Sequence, residues 1–219
     1  ETMTVNIRPV IYLNPSTMFA SGEGSKSNPY IISDNIKRSL TVGDYVYYNP
    51  FDNENCNDNT NHPAGYCMKW RVVSEKTDTV DLIITTNLTT NTFTSATEMK
   101  NLLSSYTGRW TGLEEFNYGD NDRINGAMAF DGDKIRLLKY SELASITDHS
   151  TTSIESITNV PGWLTEDLST TQGYWIGQHT SGTSTQAYAI YGNGQMKAVS
   201  GYTSLGIRPV IRVKRSNVE

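Results

Sequence analysis

Ile207-Arg208-Pro209-Val210-Ile211 repeats, residue for residue, the stretch Ile7-Arg8-Pro9-Val10-Ile11 near the other end of the chain. Each copy runs on in strand-like alternation, into Tyr12-Leu13 after the first and Arg212-Val213 after the second. A five-residue identity at this separation points to tandem repeats, with the first copy ending a preceding repeat and the second ending this one. The competing reading is a pair of similar strands within one domain. Proline donates no ladder hydrogen bond, so Pro9 and Pro209 are expected at a strand start or on an edge strand, and not at a fully paired central position.

Working inward from the first copy, Ser21-Gly22-Glu23-Gly24-Ser25-Lys26-Ser27-Asn28-Pro29 is a turn-rich linker. Tyr30-Ile31-Ile32 is a short apolar run. Residues 1–33 are accordingly taken as a linker and a strand from a preceding repeat, and residues 34–219 as the main domain. The sequence opens on Glu1, as a processed product or an excised fragment would.

Working inward from the second copy, the C-terminal part reads as a β-meander. Tyr174-Trp175-Ile176-Gly177 and Ala187-Tyr188-Ala189-Ile190-Tyr191 are strands, and Gly192-Asn193-Gly194 turns the second one back into Gln195-Met196-Lys197-Ala198-Val199. Further upstream, Val42-Gly43-Asp44-Tyr45-Val46-Tyr47-Tyr48-Asn49 is a turn and strand, and Lys69-Trp70-Arg71-Val72-Val73 pairs with Val80-Asp81-Leu82-Ile83-Ile84-Thr85 as a hairpin. Lys134-Ile135-Arg136-Leu137-Leu138-Lys139 alternates as a strand.

Ser95-Ala96-Thr97-Glu98 is a capping box that opens a helix over about 97–105. Met99, Leu102, Leu103, Tyr106 and Trp110 follow at helical spacing and give it one apolar face. A shorter helix begins at Ser141, expected as its N-cap. Residues 147–172, around Pro161-Gly162-Trp163, are a long polar loop of the kind that often carries function. The class is α+β: a twisted antiparallel sheet with one or two helices and long loops.

The 219 residues carry a net charge of −5, and the only basic cluster is at 212–215. Nonspecific binding to nucleic acid or to acidic membranes needs clustered Lys and Arg, so both are set aside. No run approaches the ~18 apolar residues of a membrane span. The only cysteines, Cys56 and Cys67, bracket a polar loop with no core-forming pattern. A disulfide would staple that loop and fits an oxidising compartment. His62 is the one further soft ligand nearby, too few for a zinc site.

The order Gly43-Asp44-Tyr45-Val46, two cysteines, Trp70-Arg71-Val72-Val73, Val80-Asp81-Leu82-Ile83, Ile135-Arg136-Leu137-Leu138, Gly173-Tyr174-Trp175 and Gly206-Ile207-Arg208-Pro209-Val210-Ile211 resembles the DUF6273-like extracellular domains of Firmicutes surface and prepilin-like proteins. The resemblance covers roughly residues 40–213, and the segment 7–32 resembles the stretch that ends such domains. It implies a C-type-lectin-like fold and no catalytic residues. Residues 147–172 do not align with it.

The chemistry-bearing residues are sparse. His62, His149 and His179 lie in polar sequence with no metal-ligand spacing, and are read as solvated loop histidines. Serine is too common for a Ser-His-Asp set to be inferred, because triads are defined by geometry. Asp120 and Asp122, in Gly119-Asp120-Asn121-Asp122-Arg123-Ile124, are calcium candidates, although the EF-hand pattern fails at Ile124. Turn chemistry is the competing reading for them. Trp163, Tyr174 and Trp175 are the ligand-contact candidates; core packing explains Trp175 equally well, and Trp163 is best placed because it lies in the long loop.

The expectation is a non-catalytic, secreted or cell-surface domain, not an enzyme. It would serve in adhesion or ligand binding, taking a glycan or a host or bacterial surface protein through its long loops and following a preceding repeat of the same protein. It needs no cofactor, calcium being the one candidate ion. The alternative is a structural repeat or pilin-like spacer, and a hydrolase is the least supported reading.

Overall fold

The computed structural model describes residues 19–21, 25, 31–32, 40–56 and 66–218. The chain forms two compact units, Glu1–Ser39 and Leu40–Glu219. In the first, β1 (Phe19–Ser21) pairs antiparallel with β2 (Ile31–Ile32). The strand expected over residues 7–13 lies outside the described residues.

The second unit is α+β and carries two mostly antiparallel sheets. The larger sheet contains β3 (Tyr45–Asn49), β4 (Glu54–Asn55), β5 (Met68–Glu75) and β6 (Thr79–Ile84). It is completed by β8 (Ile135–Arg136) and β13 (Val210–Lys214), in the spatial order β4-β3-β5-β6-β13-β8. The smaller sheet contains β7 (Thr89–Asn91), β9 (Gly173–His179), β10 (Gln186–Tyr191), β11 (Met196–Ser200) and β12 (Leu205–Ile207), in the order β11-β10-β9-β12-β7.

The expected hairpin is β5–β6, with Trp70 opposite Ile84 and Val72 opposite Leu82. Val46, Tyr48, Trp70 and Val72 alternate inward, while β6 is buried on both faces from Val80 to Ile84. Continuous apolar sequence is what a strand between two covered faces requires. The strand expected across residues 134–139 shortens to β8, because Leu137 and Leu138 leave the ladder to fill the core.

The second copy of the pentapeptide does not form one strand. Ile207 ends β12 in the smaller sheet, the chain crosses at Arg208-Pro209, and Val210 opens β13 in the larger. Both halves are internal: β12 lies between β9 and β7, and β13 between β6 and β8. Pro209 itself stands unpaired at the start of β13, as the sequence predicts, although the two strands it joins are internal. Proline sits in the gap between ladders, where no N–H is called for, and its carbonyl still accepts from Ile84 N at 3.2 Å.

β6 and β7 cross between the sheets alongside, and Leu88 N donates to Ile207 O at 3.0 Å. Arg208, 1 % exposed, donates through Nε to Asn87 Oδ1 at 2.9 Å. Asn87 packs against Gly206 so closely that a Cβ there would lie 2.2 Å from its Nδ2. Only glycine admits that approach.

Helix α1 (Ala96–Thr107) is longer than expected by a residue or two at each end, and Ser95 caps it by accepting from Glu98 N at 3.2 Å. The Glu98 side chain turns to Thr94 Oγ1, not to the Ser95 amide. Met99 and Leu103 are the buried positions, whereas Leu102 and Tyr106 are half-buried. Trp110 lies beyond the helix, edge-on to Trp70 in the core.

Helix α2 (Tyr140–Ile146) touches β5 of one sheet and β9 of the other. Its N-cap is Lys139, not Ser141, because Glu142 Oε2 accepts from Lys139 N at 3.2 Å. Cys56 and Cys67 form the expected disulfide, with Cα atoms 5.9 Å apart.

Candidate functional site

The long loop is pinned rather than loose. Ile157, Val160 and Leu164 are buried anchors along it, and Pro161 precedes a single 3-10 turn, Gly162–Leu164, that carries Trp163. Arg208 reaches from the crossover to the carbonyls of Leu164 (Nη1, 3.3 Å) and Glu166 (Nη2, 2.7 Å). The planar guanidinium fork meets both carbonyls and Asn87 at once through three separate nitrogens, where a lysine has one. The arginine of the repeated motif therefore acts as a tether for the loop.

Glu166 ties the same loop to the larger sheet. Its carboxylate accepts from Arg71 (Nε to Oε2, 3.1 Å; Nη2 to Oε1, 2.9 Å) and from Lys69 Nζ at 3.0 Å. Burial raises the carboxyl pKa, but the bonds from Arg71 and then Lys69 outweigh it and hold it below the ordinary glutamate value. Arg71 Nη1 also donates to Gly43 O at 3.1 Å.

Gly43, at φ +92°, sits in the turn before β3 and lies directly against Trp163. A Cβ there would come within 3.3 Å of the indole Nε1. Thus Trp163 is fixed from two sides, by its loop and by a turn that glycine alone accommodates.

Trp163 lines an open groove of about 550 Å³ between α2, the turn before β3 and the end of β5. Val42, Val73, Ile146 and Pro161 supply its apolar surface, and Ser74, Ser141 and Ser145 its hydroxyls. Glu75 and Glu142 supply carboxylates, but both are committed: Glu142 to Arg136 (Nη1 to Oε2, 2.7 Å) and Glu75 to Arg215 at 3.4 Å. Ser141 Oγ is bonded to Asp122. The groove thus offers apolar contact and hydroxyls.

Of the three aromatic candidates only Trp163 lines this groove. Tyr174 and Trp175 are both fully buried in β9, which corrects their reading as ligand contacts. Trp175 Nε1 donates to Asn91 O at 2.8 Å, and the Tyr174 ring lies 4.8 Å beneath the Arg208 guanidinium. Their alternation serves a strand that is covered on both faces.

Asp120 and Asp122 are turned to structural work. Asp120 accepts from Arg212 Nη1 at 2.6 Å, from Asn117 N at 2.9 Å and from Lys76. Asp122 accepts from Ser141 N at 3.0 Å and from the Ser141 hydroxyl, at the start of α2. All four oxygens meet protein donors instead of facing one another across an open cage, the arrangement a calcium ion would need. Among the described residues no three His, Cys, Asp or Glu side chains gather at metal-binding distance.

His62 lies outside the described residues. His149 is half-buried just after α2, with Nδ1 2.8 Å from Thr147 O. His179 departs from the loop expectation: it ends β9, is buried, and stacks on Phe93 with ring centroids 4.3 Å apart. A polar neighbourhood in sequence concealed a strand position.

The sequence reading passed over Tyr45 and Tyr47, which face outward from β3. They stand opposite Arg71 and Lys69 on β5. Their rings meet edge to face at 5.9 Å, and the Arg71 guanidinium lies 5.1 Å from the Tyr45 ring centre. The signal was available as aromatic alternation at 45 and 47 facing basic alternation at 69 and 71.

No helix among the described residues is long and apolar enough to cross a membrane. Comparison with protein-family models, with curated proteins and with solved structures found no match.

Proposed function

We propose that this chain is a non-catalytic binding domain of a secreted or cell-surface protein, of the DUF6273-like and C-type-lectin-like kind, working in adhesion or ligand capture. The observation that carries the reading is Trp163, presented to an open groove by a loop that Arg208 and Glu166 both hold in place. Binding is favoured when the contact residue is fixed before the ligand arrives, since less conformational entropy is then lost. The disulfide suits an oxidising, extracellular setting. The arrangement of the groove side chains, each carboxylate in an ion pair and no histidine beside a serine, supports recognition over catalysis.

Glycan and protein arrays probed with the full chain test this. Binding that is reproducible, and lost in Trp163→Ala at an unchanged melting midpoint, is the expected result. Undiminished binding in that variant would remove the groove from consideration.

A further inference from the structure

We infer that the ligand of this site is a neutral polysaccharide that lies along a row of aromatic side chains, Tyr47, Tyr45 and Trp163, and not a single terminal sugar. The inference rests on the binding-domain reading above. Four contacts link the three rings. Tyr47 meets Tyr45 edge to face. Arg71 lies over Tyr45 and bonds to Gly43 O, and Gly43 packs against Trp163. Tyr45 is 45 % exposed, and Val42 between the turn and the groove is 41 % exposed. The row therefore continues beyond the groove onto the outward face of β3 and β5.

The chemistry of this surface selects the occupant. Lys69 and Arg71 are held on Glu166, Glu75 on Arg215 and Glu142 on Arg136, and Asp44 in the turn accepts from Thr41 N and Oγ1. A charged ligand would have to displace those pairs. What is left to offer is half-exposed aromatic rings with the hydroxyls of Ser74 and Ser145 in the groove. Hexose units match such a surface, since their C–H faces pack on rings while their hydroxyls bond at the margins. Several rings in a row engage several units, so occupancy should depend on chain length. A protein partner would instead seek a deep, desolvated pocket for an apolar anchor, and the groove is open.

The test uses the intact chain with neutral α- and β-linked glucan oligosaccharides from one unit to about six, measured by titration calorimetry and by retardation in gels containing the polysaccharide. Affinity should rise with length and stay insensitive to salt. Tyr45→Ala, with its melting midpoint measured alongside, should weaken the longest ligand on the order of tenfold and flatten the rise of affinity with length. Trp163→Ala should weaken all lengths. Binding confined to charged polymers and abolished by salt would overturn the inference, as would affinity independent of length or no glucan binding at all. If array ligands of another class are captured and Trp163→Ala releases them, the binding-domain reading stands while the polysaccharide falls. If neither substitution alters any binding, both fall.

Discussion

Arg212 on β13 and Asp81 on β6 stand directly opposite one another and close a two-pronged ion pair, Nε to Oδ1 at 2.7 Å and Nη2 to Oδ2 at 2.9 Å. Arg136 joins the same Asp81 carboxylate at 2.9 Å and is itself gripped by Glu142. The Phe116 ring packs against both guanidinium groups, its centre 4.5 Å from Arg136 and 4.6 Å from Arg212. A buried network of this kind matters most when it is broken, because a deleted partner leaves a charge without water or counter-ion.

Arg212→Met should therefore lower unfolding free energy by about 3–5 kcal/mol, since Asp81 loses its two-pronged partner and Asp120 loses one donor. Urea denaturation at neutral pH measures it. A change under about 1 kcal/mol would mean that the pair is solvated or dispensable.

Leu102 and Leu103 separate the core face of α1 from its margin. Leu103→Ala should cost about 2–5 kcal/mol, as expected of a leucine with 1 % exposure, and Leu102→Ala distinctly less. Melting midpoints of the two variants give the order, and equal losses would place the helix in a different rotation about its axis.

Acid should destabilise the domain in two stages. Burial is the main cause that depresses the His179 pKa below its ordinary value, and backbone bonds near Gln186 and Ser184 only partly oppose it. The unfolded chain then takes up the proton first, so stability falls as pH drops through about 6.5 toward the folded-state value. Asp120 follows lower down. Burial raises its pKa, but Arg212, Lys76 and Asn117 N pull it well below the usual aspartate range, so its contribution is complete above roughly pH 4 and lost beneath. Melting midpoints across pH should show both declines, with the first flattened in His179→Gln. An unaltered slope in that variant would assign the first stage to another group.

Removing residues 1–39 should leave a cooperatively folding remainder, because 40–219 is a compact unit that already uses its own copy of the repeated pentapeptide in both sheets. Thermal unfolding and solution mass of the shortened chain check this. Loss of a cooperative transition would mean that the first copy belongs to the core of the second unit.

The sequence carried the local structure well where pattern and burial coincide. The β5–β6 hairpin, the turn after β10, the capped helix α1 and the disulfide were all legible, because periodicity, turn residues and cysteine spacing act over a few positions. It was least informative where one residue serves two distant elements. Nothing in Arg208 announces bonds to Leu164, Glu166 and Asn87, and nothing in Gly43 announces Trp163. Tyr174 and Trp175 misled for a related reason: aromatic residues look alike in sequence whether a second layer covers them or not. At the site, Trp163 was found through its loop, while Tyr45 and Tyr47 were read only as part of a strand.

The crossing at Arg208-Pro209 also governs the timing of assembly. β12 must arrive before β7 can join β9, and β13 before β8 can join β6. Each sheet thus waits on the same short segment, which lies far along the chain from the partners that it joins. Closure of so long a loop is entropically costly and slows folding in proteins rich in distant contacts. A nascent chain halted ahead of residue 205 would hold two incomplete sheets with four unpaired edges among them, the state most open to chaperones, proteases and mispairing.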